Sequence, residues 1–415
     1  MSDVSLPKRS SAIVLALLLL AYILNFLDRQ ILGILGPSIQ TDLHLSNAQF
    51  GAIGGTAFAL LYAGLGIPLA YLADRTSRSA VVAGSLALWS AFTALCGLAT
   101  GYWSLFLFRL GVGVGEAGGV APSYALISDY FPEERRARAL AIFSLGVPLG
   151  LGGGSFIGAR LAHWFGWRPA FAIMGLVGLL LAPILRLIVR DRTGIAPPGE
   201  ESLRSVFPMI SRKASFWLLA LACSASSLCG YGLALWTPKV MMLTFGLDLV
   251  STGNFLASLL LIGGCAGVVA GGWFADRLGS TDRSWYARLP ALAWIVSIPA
   301  WGLGLFAPNL WIAWPLLLIG SAMNILWLGP VITAVQHLVP RPMRSTASAS
   351  FLLINNLVGL GVGPWLMGLL ADALKAPYGA NALRDAAVAC LGFYALAALL
   401  MLLSIRSLKA SWVAD

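Results

Sequence analysis

Four ionisable residues stand inside long apolar stretches of this chain: Asp28 and Arg29 in Asn25-Phe26-Leu27-Asp28-Arg29, and Arg109 and Glu116 in the stretch that ends Gly113-Val114-Gly115-Glu116-Ala117. A charge in hydrocarbon costs about 2.5–3.5 kcal/mol even on gentle insertion scales, so such residues are paired, hydrated or functional. An acid in that setting can take up and release a proton, and an arginine can hold an anion. No other chemistry is on offer. There is no Ser/His/Asp set, no Cys/His metal spacing and no G-x-x-x-x-G-K loop, and His44, His163 and His337 fall at the ends of apolar runs. The five cysteines, Cys96, Cys223, Cys229, Cys265 and Cys390, read as small packing residues. The expected cofactor set is empty, with no metal, and the energy source is a proton gradient.

Depth along the helices sorts the four charges. Glu116 is 13 residues from both Trp103 and Asp129, or about 20 Å from either end of a helix. Arg109 lies seven residues earlier on the same face, and Asp28 stands nine residues, about 14 Å, from Pro37. These depths allow an Asp28–Arg109 salt bridge and leave Glu116 without a partner at its level, which makes Glu116 the expected proton carrier. A static ion-pair network is the alternative. The second half of the chain offers uncharged faces instead, with Tyr231, Trp236, Met323, Asn324 and Trp327. A cavity charged on one wall and greasy on the other suits an amphipath whose ionic head meets Arg29, Arg109 and Glu116.

These residues must be positioned by a membrane bundle. With 59% hydrophobic and 11% charged residues, the chain has too little polar surface for a soluble globule, where charge alone makes up about 25%. Twelve apolar runs are expected, near 11–36, 47–73, 80–100, 103–130, 137–162, 168–190, 214–242, 250–275, 285–306, 310–338, 345–372 and 384–407. The segment before the first run carries Lys8 and Arg9 without a cleavage site, so the first run reads as a retained helix. If the N-terminus is cytoplasmic, about 20 of the 27 Lys+Arg fall on the cytoplasmic side. That bias puts both termini inside, and it assigns the net charge of +10 to topology and anionic headgroups at the cytoplasmic face instead of nucleic acid.

The chain also repeats itself. Ala73-Asp74-Arg75 recurs 202 residues later as Ala275-Asp276-Arg277. Pro132 through Arg136 recurs at an offset of 208 as Pro340 through Arg344, and Pro122 lands on Pro330. Glu116 then maps to Asn324 and Arg109 to Leu317, so the second copy lacks the charges. The expected organisation is an N-terminal six-helix bundle over 1–190, a cytoplasmic linker over 191–213 around Pro197-Pro198-Gly199, and a C-terminal six-helix bundle over 214–415.

An all-α membrane protein of two six-helix bundles with pseudo-two-fold symmetry resembles the major facilitator superfamily of secondary transporters. Ala70-Tyr71-Leu72-Ala73-Asp74-Arg75-Thr76-Ser77-Arg78 is similar to that family's G-x-x-x-D-R-x-x-R pattern, with Ala70 in place of the first Gly; Gly272 keeps that Gly in the second copy. The resemblance implies a cytoplasmic gate of Asp74, Arg75, Arg78, Asp276, Arg277 and Ser345, in which Asp74 meets the start of the eleventh helix near Ser345. The Asn25–Arg29 and Gly113–Ala117 segments together resemble the Spinster branch of the superfamily. That branch implies export of sphingolipid-like or lysophospholipid cargo, with Asp28 and Glu116 in proton coupling and Arg29 and Arg109 in support.

The expected function is a proton-coupled, alternating-access transporter, not an enzyme, in a bacterial inner membrane. It would act as a monomer on a lipid-like molecule, with Tyr231, Trp236, Asn324 and Trp327 lining the cargo side. Symport of a small organic anion and multidrug export remain open. Glycine clusters at Gly111–Gly119, Gly150–Gly154 and Gly359–Gly363 read as close helix packing, the last two at the interface of the halves.

Overall fold

The computed structural model describes residues 8–191, 203–340 and 343–413, except for the side chains of 8–10, 133, 137, 203–205, 207 and 345. Among the described residues twelve long helices cross the molecule in alternating directions: α1 Lys8–Asp42, α2 Asn47–Arg75, α3 Arg78–Cys96, α4 Tyr102–Tyr130, α5 Glu134–Phe165, α6 Trp167–Ile188, α7 Ala214–Phe245, α8 Leu249–Gly279, α9 Trp285–Leu305, α10 Leu310–Gln336, α11 344–378 and α12 382–411. The apolar run Thr346–Ser411 is 66 residues long. At about 1.5 Å per residue it is three times too long for one crossing. Gly379, at φ 54, turns the chain back and divides it into α11 and α12. The expected linker residues 192–202, with Pro197, lie outside the described residues, and a short helix, Leu203–Ser211, follows them with Val206 and Ile210 buried.

The sequence reading ends the first helix before Pro37, but α1 continues to Asp42. One proline near a helix end removes only one ladder bond.

The helices bend where prolines leave carbonyls without a partner. α4 is interrupted at Gly118 and Gly119, and α10 at Leu326 and Trp327, each four and three residues before Pro122 and Pro330. The two breaks are 208 residues apart, so the duplication read from sequence extends to backbone irregularity. Wider π-type turns occur at Ile53–Ala57 in α2 and Leu259–Gly263 in α8, 206 residues apart, and at Asn356–Leu360 in α11. Such turns cost hydrogen-bond geometry and persist mostly at functional positions.

The start of α1, the ends of α2, α4, α6, α8 and α10 and the end of α12 share one end, here the basic end. At the opposite end α2 packs tightly on α11 and α5 on α8. Thr56 Oγ1 donates to the Gly361 carbonyl at 2.7 Å, and Gly51 and Gly55 admit the backbone around Pro364 and Leu360. Gly253 admits Ser155 and Ala159 in the same way. Towards the basic end these contacts fade: Gly264 still faces Pro148, whereas Gly64, Gly66 and Gly272 face open space. The molecule is sealed at the loop end and parted at the basic end.

The glycine clusters divide accordingly. Gly152 meets Leu261 and Gly361 meets Ala59 across the helix pairs that join first-half and second-half helices. Gly150 and Gly154 instead pack on α1, and Gly359 and Gly363 on α7. The expectation that all of them sit where the halves meet is therefore corrected: small residues are needed wherever backbones cross closely, inside a half as much as between halves.

Candidate ion-pair site

α1 and α4 bring the four charges to the middle of the bundle. Glycines in α4 make this possible, since a Cβ at Gly113 or Gly115 would strike the backbone of Phe58 or Trp89. Arg29 Nε donates to Glu116 Oε2 at 2.7 Å, with Glu116 fully buried and the Arg29 side chain 15% exposed. The Arg29 guanidinium also lies 4.6 Å from the Phe58 ring centre, 4.7 Å from Tyr62 and 5.0 Å from Phe26. Arg109 lies 5.4 Å from the same Phe58 ring. One aromatic ring thus carries two guanidinium groups, an arrangement favoured by its negative faces.

The pairing expected from depth is not the one formed. Asp28 accepts from Thr93 Oγ1 at 3.2 Å, and among the described residues it makes no salt bridge with Arg109. Glu116, expected to lack a partner, holds Arg29. The reason is azimuth: consecutive helix residues point about 100° apart, so Asp28 faces α3 while Arg29 faces α2 and α4. Arg109 is near enough to both acids for its charge to act on each of them. The static network read as an alternative is present as a geometry, in this one state.

Around the pair several buried polar atoms have no hydrogen-bond partner: both amide atoms of Asn25, Asp28 Oδ1, Arg29 Nη2, Trp89 Nε1, Arg109 Nε and Nη1, and Glu116 Oε1. Buried polar groups that no protein atom satisfies call for a partner from outside the chain, such as water or a ligand group. Thr93 was missed as the partner of Asp28, because nothing in its spacing shows which face of a helix meets an acid.

The second-half candidates separate. Tyr231 is close enough for the Arg29 charge to act on it, and its hydroxyl donates to Asn356 Oδ1 at 3.4 Å. Asn324 is set against the backbone at Gly230. Trp327 is 8% exposed and stacks edge-on with Phe351 inside the second half. Trp236 is corrected: it is buried at the sealed end, donating from Nε1 to the Pro364 carbonyl at 2.9 Å and meeting Phe50 edge-on. Its length along α7 carries it past the parted region.

The gate residues at the basic end are apart. Arg78 binds Asp74 at 2.8 Å and Asp129 at 2.8 Å, all from α2, α3 and α4. Asp74, expected to meet the start of α11, bonds Arg78 instead among the described residues; the Ser345 side chain lies outside them. With the halves parted there, the nearest cation wins. Arg75 turns back over Tyr71 at 4.1 Å, and Arg277 lies 5.4 Å from Trp273, four residues earlier in each case. Asp276 makes no salt bridge among the described residues.

Known proteins share this architecture. A family model described as Major Facilitator Superfamily matches residues 18–364. An MFS-type efflux pump of Mycolicibacterium smegmatis is 35% identical over 382 residues, 92% of this chain and 89% of the pump. Protein spinster homolog 1 of Homo sapiens is 27% identical over 395 residues, 89% of this chain and 74% of that protein. The crystal structure of a bacterial homolog to the human lysosomal transporter Spinster, in an inward-facing and unoccupied conformation, superimposes with a TM-score of 0.89 at 28% identity, covering 99% of this chain and 100% of that one. The present chain therefore belongs to the Major Facilitator Superfamily of membrane transporters, with Spinster homologues among its relatives.

Proposed function

We propose that this transporter couples proton movement to the transport of an amphipath with an anionic head, such as a lysophospholipid or a sphingosine-phosphate-like molecule. The observation that carries the reading is the buried Arg29–Glu116 pair at 2.7 Å, facing a second half whose nearby groups are a phenol and amides. Ionised Glu116 holds Arg29. Protonation of Glu116 removes the partner charge and frees the guanidinium for a phosphate or carboxylate, while Arg109 balances Asp28. Proton and headgroup then bind together, and the tail lies against the uncharged wall.

On this reading the protein sits in a bacterial inner membrane as a monomer with both termini cytoplasmic, where its basic end meets anionic lipid. Residues 1–190 and 214–415 act as the two moving halves, and Asp74 exchanges Arg78 for the start of α11 when the basic end closes. Proteoliposomes carrying Glu116→Gln test it. Headgroup binding should tighten as pH falls in the wild type and become independent of pH in the variant, with gradient-driven transport lost. Wild-type transport by Glu116→Gln would remove Glu116 from the mechanism.

The efflux-pump relative supports a second reading, export of lipophilic compounds. A thermal-shift screen of lysophospholipids against cationic amphiphiles separates the two. The site sets two arginines beside two acids, so its net charge offers nothing extra to a cation until Arg29 moves away.

A further inference from the structure

At the sealed end the two halves are joined by a polar cluster unrelated to the central charges. Asp372, near the end of α11, accepts from the Asn47 backbone N at 3.2 Å, from Asn47 Nδ2 at 2.8 Å and from the Ala48 backbone N at 2.8 Å. These two backbone groups belong to the first turn of α2, where N–H groups lack helical partners and carry partial positive charge. Lys239 of α7 donates to Gln40 Oε1 at 2.7 Å and to Asn47 Oδ1 at 2.8 Å. Five hydrogen bonds thus run from second-half side chains to residues 40–48, and Asn47 takes part in three of them.

The other crossing at this end is built differently. At the 206-residue offset Asn47 corresponds to Gly253, which packs against Ser155 and Ala159 with no polar side chain between. The N-terminus of α8 is capped from its own segment, by Asp248 bonding Ser251 N at 2.8 Å. One seal is therefore greasy and the other is held by a carboxylate from the opposite half. The carboxylate seal is also wettable: Asn47, Lys239 and Asp372 are half-buried, and a surface groove of about 520 Å³ reaches Gln40 and Lys239. On separation every group in it can exchange its partner for water, at small net cost.

We propose that Asp372 is the latch of the sealed end: its carboxylate holds the molecule closed there by capping α2 across the two halves, and its release is the step that opens that end. The proposal rests on the alternating-access reading but not on its cargo or its proton.

The test reads distance, not transport. Spin labels at Leu98 and Trp311, which are 70% and 90% exposed at the sealed end of either half, report its width. Wild type should give mainly the short distance. Asp372→Asn and Asp372→Ala should raise the ratio of wide to short by about ten-fold or more, the scale of a lost charge-assisted hydrogen bond. Asn47→Asp should do the same by opposing two carboxylates, and combining it with Asp372→Asn should restore the short distance, because Lys239 then meets the relocated charge. An unchanged distribution in both single variants overturns the proposal, as does widening that the combined variant fails to reverse. If Asp372→Ala does not fold, Asn47→Asp and its rescue decide. A shift in these distances with wild-type coupling in Glu116→Gln would keep the latch and sink the proton reading alone.

Discussion

Arg29 and Asp28 are neighbours in sequence, yet Arg29 binds Glu116 of α4 while Asp28 binds Thr93 of α3. The pair is lopsided in solvent: Glu116 is fully buried, and the Arg29 side chain keeps 15% exposure. Removing Arg29 therefore strands a carboxyl in the interior, whereas removing the Glu116 charge leaves a guanidinium that retains water and the Phe58 and Tyr62 rings. Breaking a buried pair from the wrong side costs about 3–5 kcal/mol. Arg29→Gln should lower the melting temperature at pH 8 more than Glu116→Gln does, and Arg29→Gln combined with Glu116→Gln should recover part of the loss. Equal losses in the two single variants would mean that the lopsided burial does not matter, and a double variant that recovers nothing would mean that the pair adds nothing to stability.

Asp191 gives a stability prediction that depends on pH. It follows α6 and reaches α3, accepting from the Ser79 backbone N at 3.0 Å, from Ser79 Oγ at 3.0 Å and from the Ser77 hydroxyl. Partial burial pushes its carboxyl up, but these hydrogen bonds outweigh burial and hold it below the ordinary aspartate value. A depressed value in the folded chain means that the stabilisation is present above about pH 4 and is lost as pH falls through the folded value. Asp191→Asn should thus melt earlier than wild type at pH 7, and the gap should close on acidification towards pH 3. A gap that stays constant with pH would assign the loss to shape instead of charge.

The twelve crossings, the duplication and the identity of the central charged residues were legible in the sequence, because apolar run length and repeated loop motifs survive without any alignment. Partnership was not legible. Depth along a helix placed Asp28 level with Arg109, but which residue meets which depends on rotation about the helix axis, and no spacing within one helix reports the rotation of its neighbour. Lys239 and Asp372 were hidden for another reason. They stand at helix ends, where charge is ordinary, and only the packing of α2 on α11 shows that their partners lie in the opposite half.

Glycine spacing can be tested where the structure separates packed from open positions. A Cβ at Gly113 would collide with the Phe58 carbonyl, while one at Gly64 meets nothing. Gly113→Ala should destabilise by about 1–3 kcal/mol through forced backbone shifts, and should loosen the Phe58 ring on which both arginines rest. Gly64→Ala should be neutral or slightly stabilising, since alanine favours helix. Melting temperatures of the two variants in one detergent check the contrast, and similar values for both would contradict the packing of α4 on α2.

If the proposed proton coupling holds, Phe58 links it to stability. Its ring lies 4.6 Å from the Arg29 guanidinium and 5.4 Å from that of Arg109, so it attracts both. Each contact is worth about 0.5–2 kcal/mol, depending on desolvation. Phe58→Leu retains an apolar side chain and most of the packing but removes the ring, leaving Arg29 oriented by Glu116, Tyr62 and Phe26. Arg109 keeps no ring contact of this kind among the described residues. The expected outcome is a folded transporter with a small fall in melting temperature and a raised proton leak in the absence of cargo, because Arg29 then leaves Glu116 more readily. Pyranine-loaded proteoliposomes under a pH gradient measure that leak directly. Phe58→Tyr should restore tightness, since a phenol keeps the π face; a leak in the Tyr variant equal to that in the Leu variant would show that the aromatic face does not hold the arginines in place.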